Sequence, residues 1–516
     1  MKKRSTVRLS QLLFLFLFLL LFIKTEYRGS DQISVAVNGF FRCNPLVLAG
    51  YLFAAKQFTL LLLPGLIMLL FTMVLGRFFC GWICPLGTLL DLLTSRIRKT
   101  TPLRFLQGDL KYWLLIPLLS AALFNINLVG LLDPIAILIR ALTLSLYPLL
   151  GDTISRGWVG LYRVTGDNRD YLAPAYSLFH DHILPFRETL YPLGSISLLL
   201  LLLIFFLERY EKRNWCRNLC PLGTLLSLAG RFSLFRRHPL QLCIECRACR
   251  ETCPSLSSHG IVREGACMRC MECIRNCSLK GSGFYFGMPK LDRPYLPERR
   301  LLLGGILSGF FLARLFHFSS PERKTRLLRP PGVRNEGEFL KKCVRCGECM
   351  KVCLKSALYP AVLQGGLEGL FTPMLIPRLG YCEYDCTLCG QVCPTAAIPN
   401  LPKELKKKEV IGKAVFDKNH CIPFAKRIDC IVCEEHCPIP QKAIRSEIVK
   451  VADFNGRITE VKMPYLVDNL CNGCGICENV CPLEGKSGIE VFAVKEKTPL
   501  KDEAGTTSPG EADPYR

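Results

Sequence analysis

Residues that commonly carry metal, haem and nucleotide chemistry are scarce in this chain of 516 residues. It has 7 His and 9 Met, dispersed along its length, so no His- or Met-rich surface is available for handling copper. No C-x-x-C-H sequence occurs, which excludes covalently attached haem of that type. No Gly-rich nucleotide fingerprint and no convincing Ser/His/Asp set accompany the rest. Flavin, nicotinamide and triad chemistry therefore have no basis in the sequence. Acidic residues number 43 against 66 Lys and Arg, a formal net charge of +23. The basic residues gather beside apolar segments, a pattern that reports membrane topology rather than nucleic-acid binding.

Cysteine, by contrast, is abundant. There are 29, an odd count in a long chain, which argues against a disulfide framework. Six four-cysteine runs hold 24 of them. Cys243, Cys246, Cys249 and Cys253 form the first, and Cys267, Cys270, Cys273 and Cys277 the second. Cys343, Cys346, Cys349 and Cys353 form the third, and Cys471, Cys474, Cys477 and Cys481 the sixth. All four have the C-x2-C-x2-C-x3-C spacing that holds [4Fe–4S] clusters in bacterial ferredoxins. The fourth run (Cys382, Cys386, Cys389, Cys393) and the fifth (Cys421, Cys430, Cys433, Cys437) open with longer gaps but keep C-x2-C-x3-C-P. Structural zinc sites use two separated C-x2-C pairs or Cys/His mixtures, so [4Fe–4S] clusters are expected at all six, with a [3Fe–4S] or vacant site as the alternative at the two irregular runs. Four thiolates on an oxidised cubane leave roughly −2 per site, which would bring the charge to about +11.

In such runs the fourth cysteine ligates the partner run's cluster. Cys243, Cys246 and Cys249 should then share a cluster with Cys277, and Cys267, Cys270 and Cys273 with Cys253. For runs three to six two pairings stay open: nested (three with six, four with five) or sequential.

Half of the chain, 50%, is hydrophobic, and five apolar stretches read as spans: residues 12–23, 58–75, 112–132, 196–207 (extended by 190–193) and 301–318. Residues 133–188, with Pro134, Pro148, Pro174 and Pro185, read as a loop with short amphipathic or re-entrant helices. Lys2, Lys3, Arg4 and Arg8 place the N-terminus in the cytoplasm. Arg96, Arg98, Lys99 and Arg104 follow span two, and Arg209, Lys212, Arg213, Arg217, Arg231, Arg236 and Arg237 follow span four, each where alternation predicts cytoplasm. Clusters one and two are then cytoplasmic, and clusters three to six lie on the periplasmic face of the inner membrane. Arg299-Arg300 before the last stretch either mimics a twin-arginine export signal or anchors a span.

The expected organisation is a membrane domain (1–235), a two-cluster ferredoxin domain (236–290), a fifth span or anchor (296–320), a four-cluster domain (330–495) and a disordered tail (496–516). The fold class is an α-helical membrane domain plus α+β ferredoxin-like cluster domains. Pro330-Pro331-Gly332 marks the expected linker, and the basic stretch 403–408 a solvated face.

Four further cysteines lie in an internal repeat, Cys80-Gly-Trp-Ile-Cys84-Pro85-Leu-Gly-Thr88 and Cys216-Arg-Asn-Leu-Cys220-Pro221-Leu-Gly-Thr224. Positions i and i+4 share a helix face, and proline ends or kinks a helix. The copies could bring four thiols together at the cytoplasmic edge as a cofactor-binding group: a metal site, a redox dithiol or a quinone-proximal group. Cys43 has no partner in this pattern.

The motifs GRFFCGWICPLGTLLD, LLDPIAILIR and RNWCRNLCPLGTLLS over residues 50–290 resemble the NapH-type membrane protein, whose core NosR and CcoG share. Residues 296–495 resemble the NapG/MauM-type ferredoxin. The resemblance implies electron transfer from membrane quinol toward a periplasmic reductase or cytochrome, with quinone as mediator. His180, His182, Asp133 and Arg140 are candidate quinone-side groups. The CcoG-like core motivates an alternative, a maturation factor that reduces a metal or activates a partner enzyme.

Overall fold

A computed structural model describes residues 2–93, 110–165, 174, 176–177, 179–180, 183–187, 189–239, 253–255, 264–277, 282–288, 299–318, 327–452 and 458–494. Cys243, Cys246, Cys249, His182, the basic group 96–104 and the tail lie outside the described residues.

A helical layer comes first. Helix α1 (Lys2–Lys24) is uniformly apolar through its middle and, at 23 residues, about 34 Å long. The layer is then built from corners in which a short helix meets an X-Pro step and a second helix. These are α2 (Gly39–Arg42) to α3 (Pro45–Ala55), and, after α4 (Leu63–Leu75), α5 (Phe78–Trp82) to α6 (Pro85–Leu93). Beyond α7 (Leu110–Leu123), α8 (Val129–Leu132) leads to α9 (Pro134–Ala141). After α10 (Tyr147–Thr165) and α11 (Gly194–Leu207), a π-helical turn Trp215–Leu219 leads to α12 (Pro221–Ala229).

Each proline sits where its missing N–H costs nothing, at the helix start, and forces the preceding residue into extended backbone. That residue is then available as a cap. Asn44 accepts from Leu46 N, Asp133 from Ile135 N and Ala136 N, and the Cys220 sulfur from Gly223 N. A hydrogen bond of 2.6 Å from Asn44 Nδ2 to Asp133 Oδ1 ties two corners together. Helix α3 packs on α12, and α6 on α9.

Three expectations change. Residues 134–164 are one continuous apolar helix rather than a loop. The π-helical turn Leu142–Leu146 lies just before Pro148, where a strict α-helix would bring the ring against the Leu144 carbonyl. By length and composition two helices could cross a membrane, 6–24 and 134–164, the latter mostly buried. The stretches expected as spans two to four form apolar helices of 10–17 residues, ending in the corners described above. Third, Pro330-Pro331-Gly332 is no open linker: it is buried, with Gly332 against Pro399 and Leu401.

Helix α13 (Arg299–Phe318) lies along α7. Glycine permits that approach: a Cβ on Gly305 would stand 2.7 Å from Ile116 Cγ2, and one on Gly309 2.5 Å from Ser120 Cβ. Ser120 Oγ donates to Ile306 O at 3.1 Å.

The cysteine-run regions are small α+β units. Strands β1 (Phe235–Pro239) and β2 (Ser282–Phe286) pair antiparallel around residues 253–277. In the C-terminal unit the antiparallel pairs are β3 (Leu358–Pro360) with β4 (Pro373–Leu375), β5 (Lys413–Phe416) with β8 (Ile489–Phe492), and β6 (Ile444–Ala452) with β7 (Ile458–Leu466).

The two cysteine-run regions contact opposite ends of the helical layer. Near the start of α1, Gln11 Nε2 donates to Gly81 O at 2.8 Å, and Trp82 Nε1 donates to Arg269 O of run two. At its far end, Lys351 Nζ donates to the carbonyls of Phe22 (2.6 Å) and Thr25 (2.9 Å), groups a helix terminus leaves unsatisfied. Asn127 Nδ2 donates to Lys341 O, Gln391 bridges Asp31 and Ile33, and Arg345 donates to Asn127 O.

Candidate iron–sulfur sites and the four-thiol pocket

In the C-terminal unit, one-turn helices Glu348–Lys351, Leu388–Val392, Val432–Glu435 and Ile476–Asn479 each carry the third cysteine of a run. The turn before them needs unusual backbone. Gly347 and Gly475 have φ of 88° and 86°, conformations that favour glycine. The first of these helices packs on the second, and the third on the fourth.

The cysteines gather accordingly. Cys393 lies within electrostatic reach of Cys343, Cys346 and Cys349, and Cys353 of Cys386 and Cys389. Cys437 lies near Cys471, Cys474 and Cys477, and Cys481 near Cys421 and Cys433. Runs three and four therefore interlock, as do five and six. Of the two pairings the sequence left open, the geometry is sequential. The irregular fifth run still brings Cys421 to Cys430 and Cys433, because its extra residues form the short helix Ile422–Lys426. The two pairs touch where Cys382 N donates to Cys474 O at 2.9 Å. In the N-terminal pair, Cys253 lies near Cys267, Cys270 and Cys273.

Burial pushes the thiols of Cys386 and Cys474 up to about 12, and those of Cys343 and Cys421 up to about 11. Without iron these groups stay protonated at neutral pH, so cluster binding must expel protons. One lysine of the basic stretch is not solvated as expected. Lys406 is buried under the run-four loop, donating to Tyr384 O at 2.9 Å and to Glu383 O.

The Cys-x3-Cys-Pro repeat folds differently from a shared helix face. The helix breaks between its two cysteines: Cys80 lies in α5 and Cys84 caps α6, while Cys216 lies in the π-helical turn and Cys220 caps α12. Proline starts the second helix instead of ending the first. All four thiols are buried.

Sequence reading missed two arginines there, although both occupy the same repeat position, three residues before the first cysteine. Arg77 Nε donates to Cys80 Sγ at 3.3 Å and its Nη2 reaches across to Cys216 O at 2.6 Å. Arg213 reaches the other way. Its Nη1 donates to Cys80 O, its Nη2 to Asp91 Oδ2 at 2.6 Å, and it touches Met268 of run two. The first copy is thus held by both arginines, and the second by the arginine of the first.

Of the three described candidate quinone-side residues, Asp133 and Arg140 lie within electrostatic reach of each other. Asp133 and Arg140 are buried and serve packing: Asp133 caps α9, and Arg140 Nη1 donates to Gly130 O and Arg345 O. His180 is exposed and lies against Tyr176 with the rings tilted. Other groups meet elsewhere. A narrow cleft of ≈ 30 Å³ between the helical layer and run three is lined by Glu26, Tyr147, Phe186, Tyr191, Lys351 and Cys353. In it Tyr147 Oη donates to Glu26 Oε2 at 2.8 Å.

A family profile described as "4Fe-4S binding domain" matches residues 57–104 and 190–239. The chain is 32% identical over 212 residues to the methylamine utilization ferredoxin-type protein MauM of Methylorubrum extorquens, covering 39% of this chain and 92% of that protein. It is 34% identical to the ferredoxin-type protein NapG of Escherichia coli, over 30% of this chain and 67% of the relative. The putative electron transport protein YccM of Escherichia coli is 25% identical over 54% of this chain and 69% of its own length. No solved structure matches.

Proposed function

The chain belongs to the ferredoxin-type family that includes MauM and NapG, and on that premise we propose that it is a membrane-embedded electron conduit that takes electrons from quinol and delivers them to a periplasmic reductase or cytochrome. An iron–sulfur electron-transfer protein follows from the family and from the four interlocked sites. The membrane, the donor and the direction are the proposed part.

The observation that carries the reading is the placement of two cysteine regions at opposite ends of a helical layer with apolar outward faces. Leu9, Phe16, Leu199, Leu303 and Phe311 are each more than 60% exposed. Each such side chain left in water forgoes about 1.5–3 kcal/mol that burial would supply, so this many exposed apolar side chains call for a lipid cover. The Glu26–Tyr147 pair supports quinol as donor. A hydroquinone releases protons as it loses electrons, and a carboxylate beside a run-three cysteine can receive a proton close to where the electron goes.

With clusters bound, each four-cysteine group would supply a one-electron carrier. The chain's own part is to hold the carriers in sequence and to exclude water from them. The test is anaerobic addition of a short-chain quinol to purified protein in detergent. Bleaching of the cluster absorbance is expected, and Glu26→Gln should slow it. Clusters that dithionite reduces but quinol does not would overturn the quinol assignment.

A further inference from the structure

We propose that Cys80, Cys84, Cys216 and Cys220 together hold a seventh [4Fe–4S] cluster, which relays electrons between run two and run three. The relay role rests on the electron-transfer reading above; the cluster itself does not.

The first argument is charge. Arg77 is 3% exposed, and its hydrogen bonds run to the Cys80 sulfur and the Cys216 carbonyl, with no carboxylate among them. A buried guanidinium without an anionic partner costs several kcal/mol. Arg213 has Asp91, whereas the charged-form partners within electrostatic reach of Arg77 are the cysteines Cys80, Cys216 and Cys220. Arg269, which lies against Gly76, is buried too, and its Nη1 has no hydrogen-bond partner. Four thiolates on an oxidised cubane bring about −2 to this place.

The second argument is shape. The duplicated corner turns four sulfurs toward one another from two elements, with Cys216 in reach of Cys80 and Cys84, and Cys220 in reach of Cys80 and Cys216. Glycine keeps the walls close. A Cβ on Gly87 would stand 3.1 Å from Cys80 O, and one on Gly223 would overlap the Arg77 guanidinium. The 4Fe-4S profile matched segments that contain these four cysteines and none of the six runs.

The third argument is position. One contiguous core runs from Met268 of run two through the four thiols to Val344 and Cys346 of run three. Along α1, Gln11 contacts Gly81 of the four-thiol corner, and Phe22 contacts Lys351 of run three. Those eleven residues correspond to about 16 Å of helix. Electron tunnelling decays exponentially with distance, so a centre placed between the two sets divides a long step into shorter ones. The step is a one-electron reduction and reoxidation of the cluster by its neighbours, with no bond or proton exchanged.

The test counts clusters in the full-length protein. Reductive titration of the wild type should consume seven electrons per chain; six would overturn the proposal without any variant. Cys80→Ser/Cys216→Ser should lose about four iron and four sulfide per chain, while Cys43→Ser loses none. Unchanged iron in the double variant would also overturn it. If that variant does not fold, Arg77→Gln serves in its place. It should shift the midpoint potential of one cluster signal and leave the others alone, and an unmoved set of potentials would count against the site. The relay is read separately, as loss of electron transfer between runs one and two and the distal clusters in the double variant. Failure of quinol to reduce the wild type would refute the donor assignment and leave the cluster count standing.

Discussion

Gly130→Ala is the sharpest test of how the C-terminal unit seats on the helical layer. Gly130 lies in α8, directly beneath the run-three loop. A Cβ there would overlap the Val344 carbonyl oxygen and stand 2.5 Å from its carbon and 3.1 Å from its Cα. Carbon atoms pack comfortably at about 3.5 Å, so the loop must retreat by about 1 Å. The obstruction is backbone on both sides, with no flexible side chain to give way. A retreat of that size stretches the bonds of Arg140 to Arg345 O (3.4 Å) and of Asn127 to Lys341 O (2.9 Å), together with that of Arg345 to Asn127 O. Overpacking costs about 1–3 kcal/mol, and each charge-assisted hydrogen bond lost adds about 1.5–3 kcal/mol. With one such bond lost the total, about 2.5–6 kcal/mol, is spread over the interface rather than over either unit's core. Amide exchange over residues 340–352 should therefore rise at least tenfold, since 1.4 kcal/mol is already tenfold, while iron content stays at the wild-type value. Quinol-driven bleaching of the distal clusters should slow in parallel. If exchange in that segment is unchanged, the interface is not as tight as the Val344 contact requires and the reasoning fails.

Three further outcomes are expected. Lys406→Met removes a buried cation from beside Cys382, Cys386 and Cys389; one cluster potential should fall, by about 59 mV for each 1.4 kcal/mol of lost stabilisation, as EPR-monitored titration would read. Burial pushes Lys351 down to about 8 from 10.5, against the pull of Glu26. Between those values the unfolded chain binds more protons, so stability should rise with pH across that window. Thermal unfolding between pH 7.5 and 10 should show this slope, and Lys351→Met should flatten it. Gly223→Ala should displace Arg77 and lower iron content, whereas Gly87→Ala meets its nearest atoms at 3.1 and 3.4 Å and should be tolerated; equal iron loss in both would contradict the crowding at Gly223.

The fold and its sites divide between what the chain states locally and what it does not. Cluster chemistry is local. A C-x2-C-x2-C-x3-C-P run sets its own turn, and its interpretation needs no other part of the molecule. The twofold repeat of Cys-x3-Cys-Pro-Leu-Gly-Thr was equally plain, including the arginine three residues ahead of each copy, which was in view but carried no recognisable motif. Lys406 could not be told from Lys407 or Lys408 by any local pattern, because what distinguishes it is the run-four loop lying over it. The continuous helix through Pro148 was hidden for a similar reason. Proline argues for a break, and the π-helical turn that accommodates it has no sequence signature.

The sequence by itself determined which atoms could hold iron and where apolar segments lie, because both are properties of side-chain type and spacing. Only the tertiary structure decided which runs interlock, since a fourth cysteine points away from its own run and its partner depends on which short helices pack together. It also decided that the four repeat thiols are buried between two exchanged arginines. That arrangement requires α5, α6, α12 and the turn before α12 to meet, and the two halves of the site are separated by more than a hundred residues of chain.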